Sequence, residues 1–189
     1  MKRFVTFEGG EGCGKTTQIG LAATWLAEQG VPSLTTAEPG GTPLGRKIRE
    51  ILLNRGPWSI GAEAELLLFA AARAQHVRET IQPALAEGKL VLCDRFADAT
   101  LAYQGFGRGL DIGFIRELND FSACSLTPDR TILLDVPVAT GLTRAKKERP
   151  AFGRRLRRTV SSRRRWPFTA GYAKGISHWR PRNRSVLQS

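Results

Sequence analysis

A chain of 189 residues has room for one domain of ordinary size, able to bury roughly 70% of its unfolded surface. The apolar run behind Met1-Lys2-Arg3 ends at Phe7, too short for a signal-peptide core, and no run approaches the ~20 apolar residues of a membrane span. Cys13, Cys93 and Cys124 are odd in number, widely spaced and without a CxxC pair or His cluster, which argues against a zinc or disulfide framework and predicts a reducing, cytoplasmic setting. The formal net charge of +12 looks like a nucleic-acid signature until it is divided along the chain. Residues 1–149 carry 18 Lys/Arg against 17 Asp/Glu, whereas residues 150–189 carry 11 Lys/Arg and no acid, so the basicity belongs to a tail.

In chain order, Arg3 to Glu8 predicts a short buried strand that runs into a glycine-rich turn, and Lys15 to Glu28 predicts a helix with Ile19, Leu21, Ala22, Trp25 and Leu26 at helical spacing and Gly30 at its end. A second strand is expected at Pro32 to Ala37, a turn at Pro39-Gly40-Gly41, and a helix whose apolar face is Leu44, Ile48, Ile51 and Leu52. Ala62 to Glu87 reads as a long helix with Pro83 as a kink or break. Leu90 to Cys93 is the next strand, with Asp94 and Arg95 at its carboxyl end. A helix at Ile112 to Ala123, a strand at Arg130 to Asp135 and a helix at Pro137 to Glu148 complete the pattern. Alternating strands and helices define an α/β domain, a parallel sheet covered on both faces, with polar ligands at the carboxyl ends of its strands.

The turn Gly9-Gly10-Glu11-Gly12-Cys13-Gly14-Lys15-Thr16 matches G-x-x-x-x-G-K-[ST] and lies between a predicted strand and a predicted helix, the context a phosphate loop requires. Glycines let successive backbone N–H groups turn inward around phosphate, and the helix amino terminus adds partial positive charge. In such a loop Lys15 reaches the β and γ phosphates, the Thr16 hydroxyl ligates Mg²⁺, and Thr17 is placed for a further phosphate hydrogen bond. Alone, this loop specifies a nucleoside-triphosphate-binding protein and leaves the second substrate open.

Four further segments make the pattern specific. Phe7-Glu8-Gly9-Gly10-Glu11-Gly12, Glu38-Pro39-Gly40-Gly41-Thr42, Asp94-Arg95-Phe96 and Ala102-Tyr103-Gln104-Gly105, in this order and spacing, resemble bacterial thymidylate kinases over about residues 3–149. The resemblance implies a nucleoside-monophosphate-kinase fold with a five-stranded parallel sheet, ATP as donor, Mg²⁺ as cofactor, dTMP as acceptor and a homodimer. It places Phe69 against the thymine face, Arg73 at the thymine edge, Thr100 and Gln104 toward the base, and Tyr103 by the deoxyribose. Glu11 then accepts from the sugar 3′-hydroxyl, Arg95 binds the dTMP phosphate with Arg49 assisting, Glu38 and Pro39 shape the acceptor pocket, and Asp94 orients the Mg²⁺ shell. Arg144, Lys146, Lys147 and Arg149 stand where the family enters its lid, and Arg144 is the candidate ATP-side cation. Free of the resemblance, Phe69 reads as a core aromatic and the basic run as a solvated helix face.

The sequence departs from the family at Ala37, where Arg is common, at Ala99, where Ser is usual, and above all after Arg149. Residues 150–189 show no lid motif, no acidic helix, no final strand and no final helix, so the expectation is a kinase domain at 1–149 followed by a basic, atypical tail, the product of a shifted reading frame or a disordered extension. The alternatives to dTMP phosphorylation are a phosphate-loop kinase for another nucleoside monophosphate or a deoxynucleoside, and a protein that binds nucleic acid through the Arg-rich tail.

Overall fold

A computed structural model describes residues 3–53, 59–147 and 184–188. Five parallel strands, β1 (Phe4–Gly9), β2 (Ser33–Ala37), β3 (Leu90–Asp94), β4 (Arg130–Asp135) and β5 (Arg184–Gln188), lie in the order β2-β3-β1-β4-β5. The helices among the described residues are α1 (Lys15–Glu28), α2 (Pro43–Leu53), α3 (Ala62–His76), α4 (Gln82–Ala86), α5 (Ala97–Thr100), α6 (Ile112–Ser122) and α7 (Val138–Lys147). The expected α/β architecture is therefore present.

Period-two alternation sends the side chains of β3 to opposite faces. Val91 and Cys93 join Phe4, Val77, Ile81, Ala84, Phe96 and Ala123 in one buried cluster, while Leu92 joins Phe7, Cys13, Ile19, Leu26 and Leu134 in another. Helix α1 thus covers one face, and the segment 77–86 with the end of α6 covers the other. Among the largest fully buried side chains, Phe4 packs edge-to-face on Phe96, with ring centroids 5.1 Å apart. The Asp129 carboxylate accepts from the backbone N–H groups of Arg3 and Phe4 and fixes where β1 begins.

Helix α1 ends as its sequence predicts. Gly30 adopts φ 68°, and the Val31 N–H turns back to the Leu26 carbonyl, satisfying the last turn. Asp111 caps α6 by accepting from the Phe114 N–H at 2.7 Å. The expected break at Pro83 takes another form, because α3 and α4 are joined by a π-helical segment, Val77–Ile81. There the Gln82 N–H reaches Val77 O, five residues back, so the wider helix passes into the turn that holds Pro83 without interruption. The apolar face read for α2 is only half buried, since Ile48 and Leu52 enter the core while Leu44 and Ile51 are exposed. Residues 97–107, given no element from the pattern, form α5 and a second π segment, Leu101–Gly107.

Within the tail, Arg184–Gln188 forms β5, which pairs with β4 in parallel register from Thr131↔Arg184 to Asp135↔Gln188. Its sequence, Arg-Ser-Val-Leu-Gln, hides this because two adjacent apolar residues give neither alternation nor an apolar run, and an edge strand needs only one partner. The remaining expectations for residues 150–183 and the lid cation Arg149 lie outside the described residues.

Truncating Phe4 removes the ring between β1 and Phe96. Phe4→Ala should cost about 3–5 kcal/mol in urea unfolding; a loss below about 1 kcal/mol would show that this contact does not anchor the core.

Candidate active site

The sheet places the candidate residues at the carboxyl ends of β1 and β3, which are adjacent and in register from Phe4↔Val91 to Phe7↔Asp94. The phosphate loop leaves β1 through Gly9 at φ 150° and enters α1 through Gly14 at φ 94°, with Gly12 at φ 71° between them. These left-handed dihedrals are what the glycines supply. Gly14 gives no side-chain cap to α1, so the N–H groups of the first turn stay available for an anion. Lys15 is buried and its ammonium donates to the carbonyls of Gly9 at 3.1 Å and Gly10 at 2.9 Å. Burial, and then the Arg95 charge, lower its pKa. Thr16 and Thr17 are exposed on the first turn, as is the Glu11 side chain in the loop.

The loop has a second support that the sequence did not signal. A Cβ on Gly12 would lie 2.0 Å from the Gly141 carbonyl oxygen, and one on Gly141 would lie 2.4 Å from the Glu11 carbonyl oxygen. The loop and α7 therefore meet backbone to backbone, on the helix that carries the exposed Arg144.

At the end of β3, the Thr16 hydroxyl lies 3.4 Å from Asp94 Oδ2, while Asp94 Oδ1 is buried and accepts no hydrogen bond among the described residues. A buried carboxylate oxygen left open beside a hydroxyl and a phosphate loop is the donor set a Mg²⁺ shell uses, with nucleotide phosphates and water completing it. No cluster of three His, Cys, Asp or Glu side chains that could hold a metal occurs among the described residues.

Arg95 follows at φ 69°, a strained conformation for a side chain. Three contacts hold it: its N–H donates to Phe7 O at 3.0 Å, the Cys93 thiol donates to its carbonyl at 3.1 Å, and the next N–H, of Phe96, donates to the Glu8 carboxylate at 2.8 Å. Burial raises the pKa of the Cys93 thiol and keeps it an S–H donor. The Arg95 guanidinium lies over the Tyr103 ring, 5.1 Å from its centroid. Glu8, absent from the candidates drawn from the sequence, is buried, and its pKa is pushed up to about 8 by burial and then by the Asp98 charge.

The proposed base side is a face of α3. Glu65, Phe69 and Arg73 recur at a spacing of four; Glu65 bonds to Gln104 and Arg108, and Arg73 to Thr100, on the segment opposite. Arg73 is fully buried, which excludes a solvated helix charge. It donates to Glu38 at 2.9 Å, to Thr100 Oγ1 at 2.6 Å, to Phe96 O and to Asn119 Oδ1. Phe69 is partly buried against Ile48, Leu52 and Ala72. The Glu38 carboxylate also meets His76 Nδ1 at 3.0 Å, and the far nitrogen of His76 meets Thr36 Oγ1 at 2.7 Å. A Cβ on Gly41 would lie 2.1 Å from that same nitrogen, which requires glycine at this turn. The Glu38–Pro39 peptide is cis, and Arg49, exposed on α2, donates to Pro39 O at 2.8 Å. His76, Asn119 and Glu65 were invisible as candidates because each lies within an ordinary helical pattern, where only polarity at a buried position could have marked it, and Arg108 because it stands in a turn with no pattern of its own.

A parallel sheet with a phosphate loop after its first strand, and an acid and a base at the end of the neighbouring strand, defines the phosphate-loop class of nucleotide-binding proteins. Residues 7–164 match the family described as "Thymidylate kinase". The chain is 61% identical over 145 residues to the thymidylate kinase of Syntrophus aciditrophicus, covering 77% of this chain and 66% of that one. It is 54% identical over 167 residues to that of Thermomicrobium roseum, covering 83% and 79%. The crystal structure of thymidylate kinase from Ehrlichia chaffeensis superposes with a TM-score of 0.67 at 33% identity, covering 98% of this chain and 91% of that one. This chain belongs to the thymidylate kinase family. Its match spans about two thirds of the length of the Syntrophus relative.

The sign of the Glu8 shift gives a pH prediction. A carboxyl whose pKa rises on folding, here from 4.5 to about 8, contributes stability that is present below pH 4.5 and lost as the pH climbs through about 8. Without nucleotide, the chain should melt lower at about pH 8.5 than at about pH 5, and Glu8→Gln should flatten that dependence. Parallel melting curves for the two proteins across this range would refute it.

Proposed function

We propose that this chain transfers the γ-phosphoryl group of ATP to dTMP, giving ADP and dTDP. The observation that carries the reading is the adjacency of β1 and β3, which sets Lys15 and Thr16 beside Asp94 and Arg95 while the opposed series on α3 and 97–107 stands on the acceptor side. The phosphate loop binds the ATP phosphates. Arg95, assisted by Arg49, holds the dTMP phosphate so that its oxygen lies in line with the γ-phosphorus, and no covalent enzyme intermediate is needed. Lys15 offsets charge on the transferring group, and its lowered pKa reflects the desolvated setting in which fixed charges act most strongly. Thr16 and Asp94 would hold Mg²⁺, which supplies charge neutralisation across the β and γ phosphates when bound. Glu11 meets the 3′-hydroxyl, Tyr103 packs by the deoxyribose, Phe69 stacks on thymine, and Arg73, Thr100 and Gln104 read its edge. Glu38 holds Arg73 in place and, with Pro39, forms the pocket floor.

Coupled turnover of dTMP and ATP should depend on added Mg²⁺, exceed that of dUMP, CMP and thymidine, and fall on the order of 100-fold or more in Lys15→Ala. Equal rates for the variant, or a better rate with another acceptor, would overturn the assignment.

The cytoplasm is the compartment this reading implies. Cys13, Cys93 and Cys124 are all free thiols, and among the described residues no helix is long and apolar enough to cross a membrane. Appearance of the native protein in a membrane or secreted fraction would count against it. A homodimer is the assembly we propose. It is supported by the exposed apolar side chains Leu67 on α3 and Phe114 and Phe121 on α6, two helices packed against each other. Light scattering at micromolar concentration should give twice the chain mass, and Leu67→Glu should halve it; a monomer at every concentration would remove the proposal.

A further inference from the structure

Gln104 has two chemically different ends, and its surroundings decide which one a ligand meets. Its Nε2 donates to Glu65 Oε1 at 2.8 Å. Glu65 is buried and also takes the Arg108 guanidinium, with Nε 3.3 Å from Oε1 and Nη2 2.5 Å from Oε2. A carboxylate paired with arginine can only accept, so the amide of Gln104 must turn its NH₂ toward Glu65. The opposite end, Oε1, accepts no hydrogen bond among the described residues and is not among the sealed, unpartnered atoms. It is therefore the group left for a ligand. Flipping the amide would set carbonyl oxygen against carboxylate in a buried site and lose the bond.

Gln104 stands four residues beyond Thr100, whose hydroxyl receives the Arg73 guanidinium, and Glu65 stands eight residues before Arg73 on α3. The two helices therefore present a fixed acceptor, Gln104 Oε1, and a fixed donor, Arg73, on either side of the Phe69 position. We infer that Glu65, clamped by Arg108, is the positioning residue that sets the base specificity of the site, by holding Gln104 as an acceptor and so selecting pyrimidines that carry N3–H. Thymine and uracil offer that N–H together with a carbonyl at ring position 4 for the guanidinium. Cytosine offers the reverse pattern, a bare N3 and an amino group, and would set acceptor against acceptor and donor against donor. A site with a pre-set hydrogen-bonding pattern rejects the wrong pattern far more strongly than an apolar pocket does, because its buried groups are left unpaired.

This inference rests on the proposed base site, and the test separates the two. The ratio of kcat/KM for dTMP to that for dCMP is measured in the full chain and in Gln104→Ala and Glu65→Gln, with KM for ATP and thermal melting alongside. Glu65→Gln gives residue 65 an amide that can donate, so Gln104 is free to turn. Both variants should lower the ratio by about 10-fold, the scale of one lost hydrogen bond to a buried group, while KM for ATP stays put. If Gln104→Ala lowers the ratio and Glu65→Gln leaves it unchanged, the base site stands and the role of Glu65 is wrong. A ratio unchanged in Gln104→Ala removes Gln104 from the base site and this inference with it. Equal losses for dTMP and dCMP with a raised KM for ATP would mean that Glu65 is merely structural. Should Glu65→Gln fail to fold, the unaltered protein still decides: dTMP methylated at N3 should bind at least about 10-fold more weakly than dTMP, and equal affinity in titration calorimetry would overturn the acceptor assignment.

Discussion

The structure depends on how the first and third strands end together. Two N–H donations from the end of β3, Arg95 to Phe7 O and Phe96 to the Glu8 carboxylate, bind the acceptor-side turn directly to the strand that launches the phosphate loop. Without them Arg95 would relax from its left-handed conformation, since no side chain prefers φ 69°. Everything polar in the site is placed relative to that junction: Lys15 and Thr16 one turn along from β1, Asp94 and Arg95 at the tip of β3, and Tyr103 under the guanidinium. Concentrated charge at such a junction is costly. Burial first, and neighbouring charge second, raise the pKa of Glu8 and lower that of Lys15.

Around this junction the domain uses buried polar networks where a hydrophobic core would have been simpler. The chain Thr36–His76–Glu38–Arg73–Thr100 crosses from β2 through the turn and α3 to α5. Glu65, Gln104 and Arg108 form a second set two turns away on α3. Each member is fixed by partners on other elements, so donor directions are set before a ligand arrives. The cost is desolvation of several charged groups, offset by pairing them. Fixed direction, rather than added stability, is the gain.

Much of this was legible in the sequence, for physical reasons that also explain what was not. The phosphate loop is local: its glycines, lysine and threonine are consecutive, and the flanking strand and helix carry clean periodicities, so β1, α1 and β4 fall within a residue or so of expectation. Asp94 and Arg95 were legible because a polar pair closes an apolar strand. Glu8, Glu65, His76, Asn119 and Arg108 were not, because what makes them matter is a partner 38 to 88 residues away in sequence, as with His76 and Glu38 or Glu8 and Phe96. The π segments were hidden as well, since a side-chain pattern does not show whether the backbone hydrogen bonds close over four residues or five. Strand β5 was not legible because its two adjacent apolar residues give neither alternation nor an apolar run, and an edge strand asks for backbone pairing more than for apolar side chains.

The contact between Gly12 and Gly141 has a consequence for how this domain can change. With no side chain between them, the anion cradle and the helix leading toward residue 149 share a single van der Waals boundary, so neither can drift without the other. A transplant of the cradle into a foreign scaffold would have to carry that helix along, and a bulkier residue accepted on one side would have to be matched by retreat on the other. Two stretches more than a hundred residues apart are, in this sense, one heritable part.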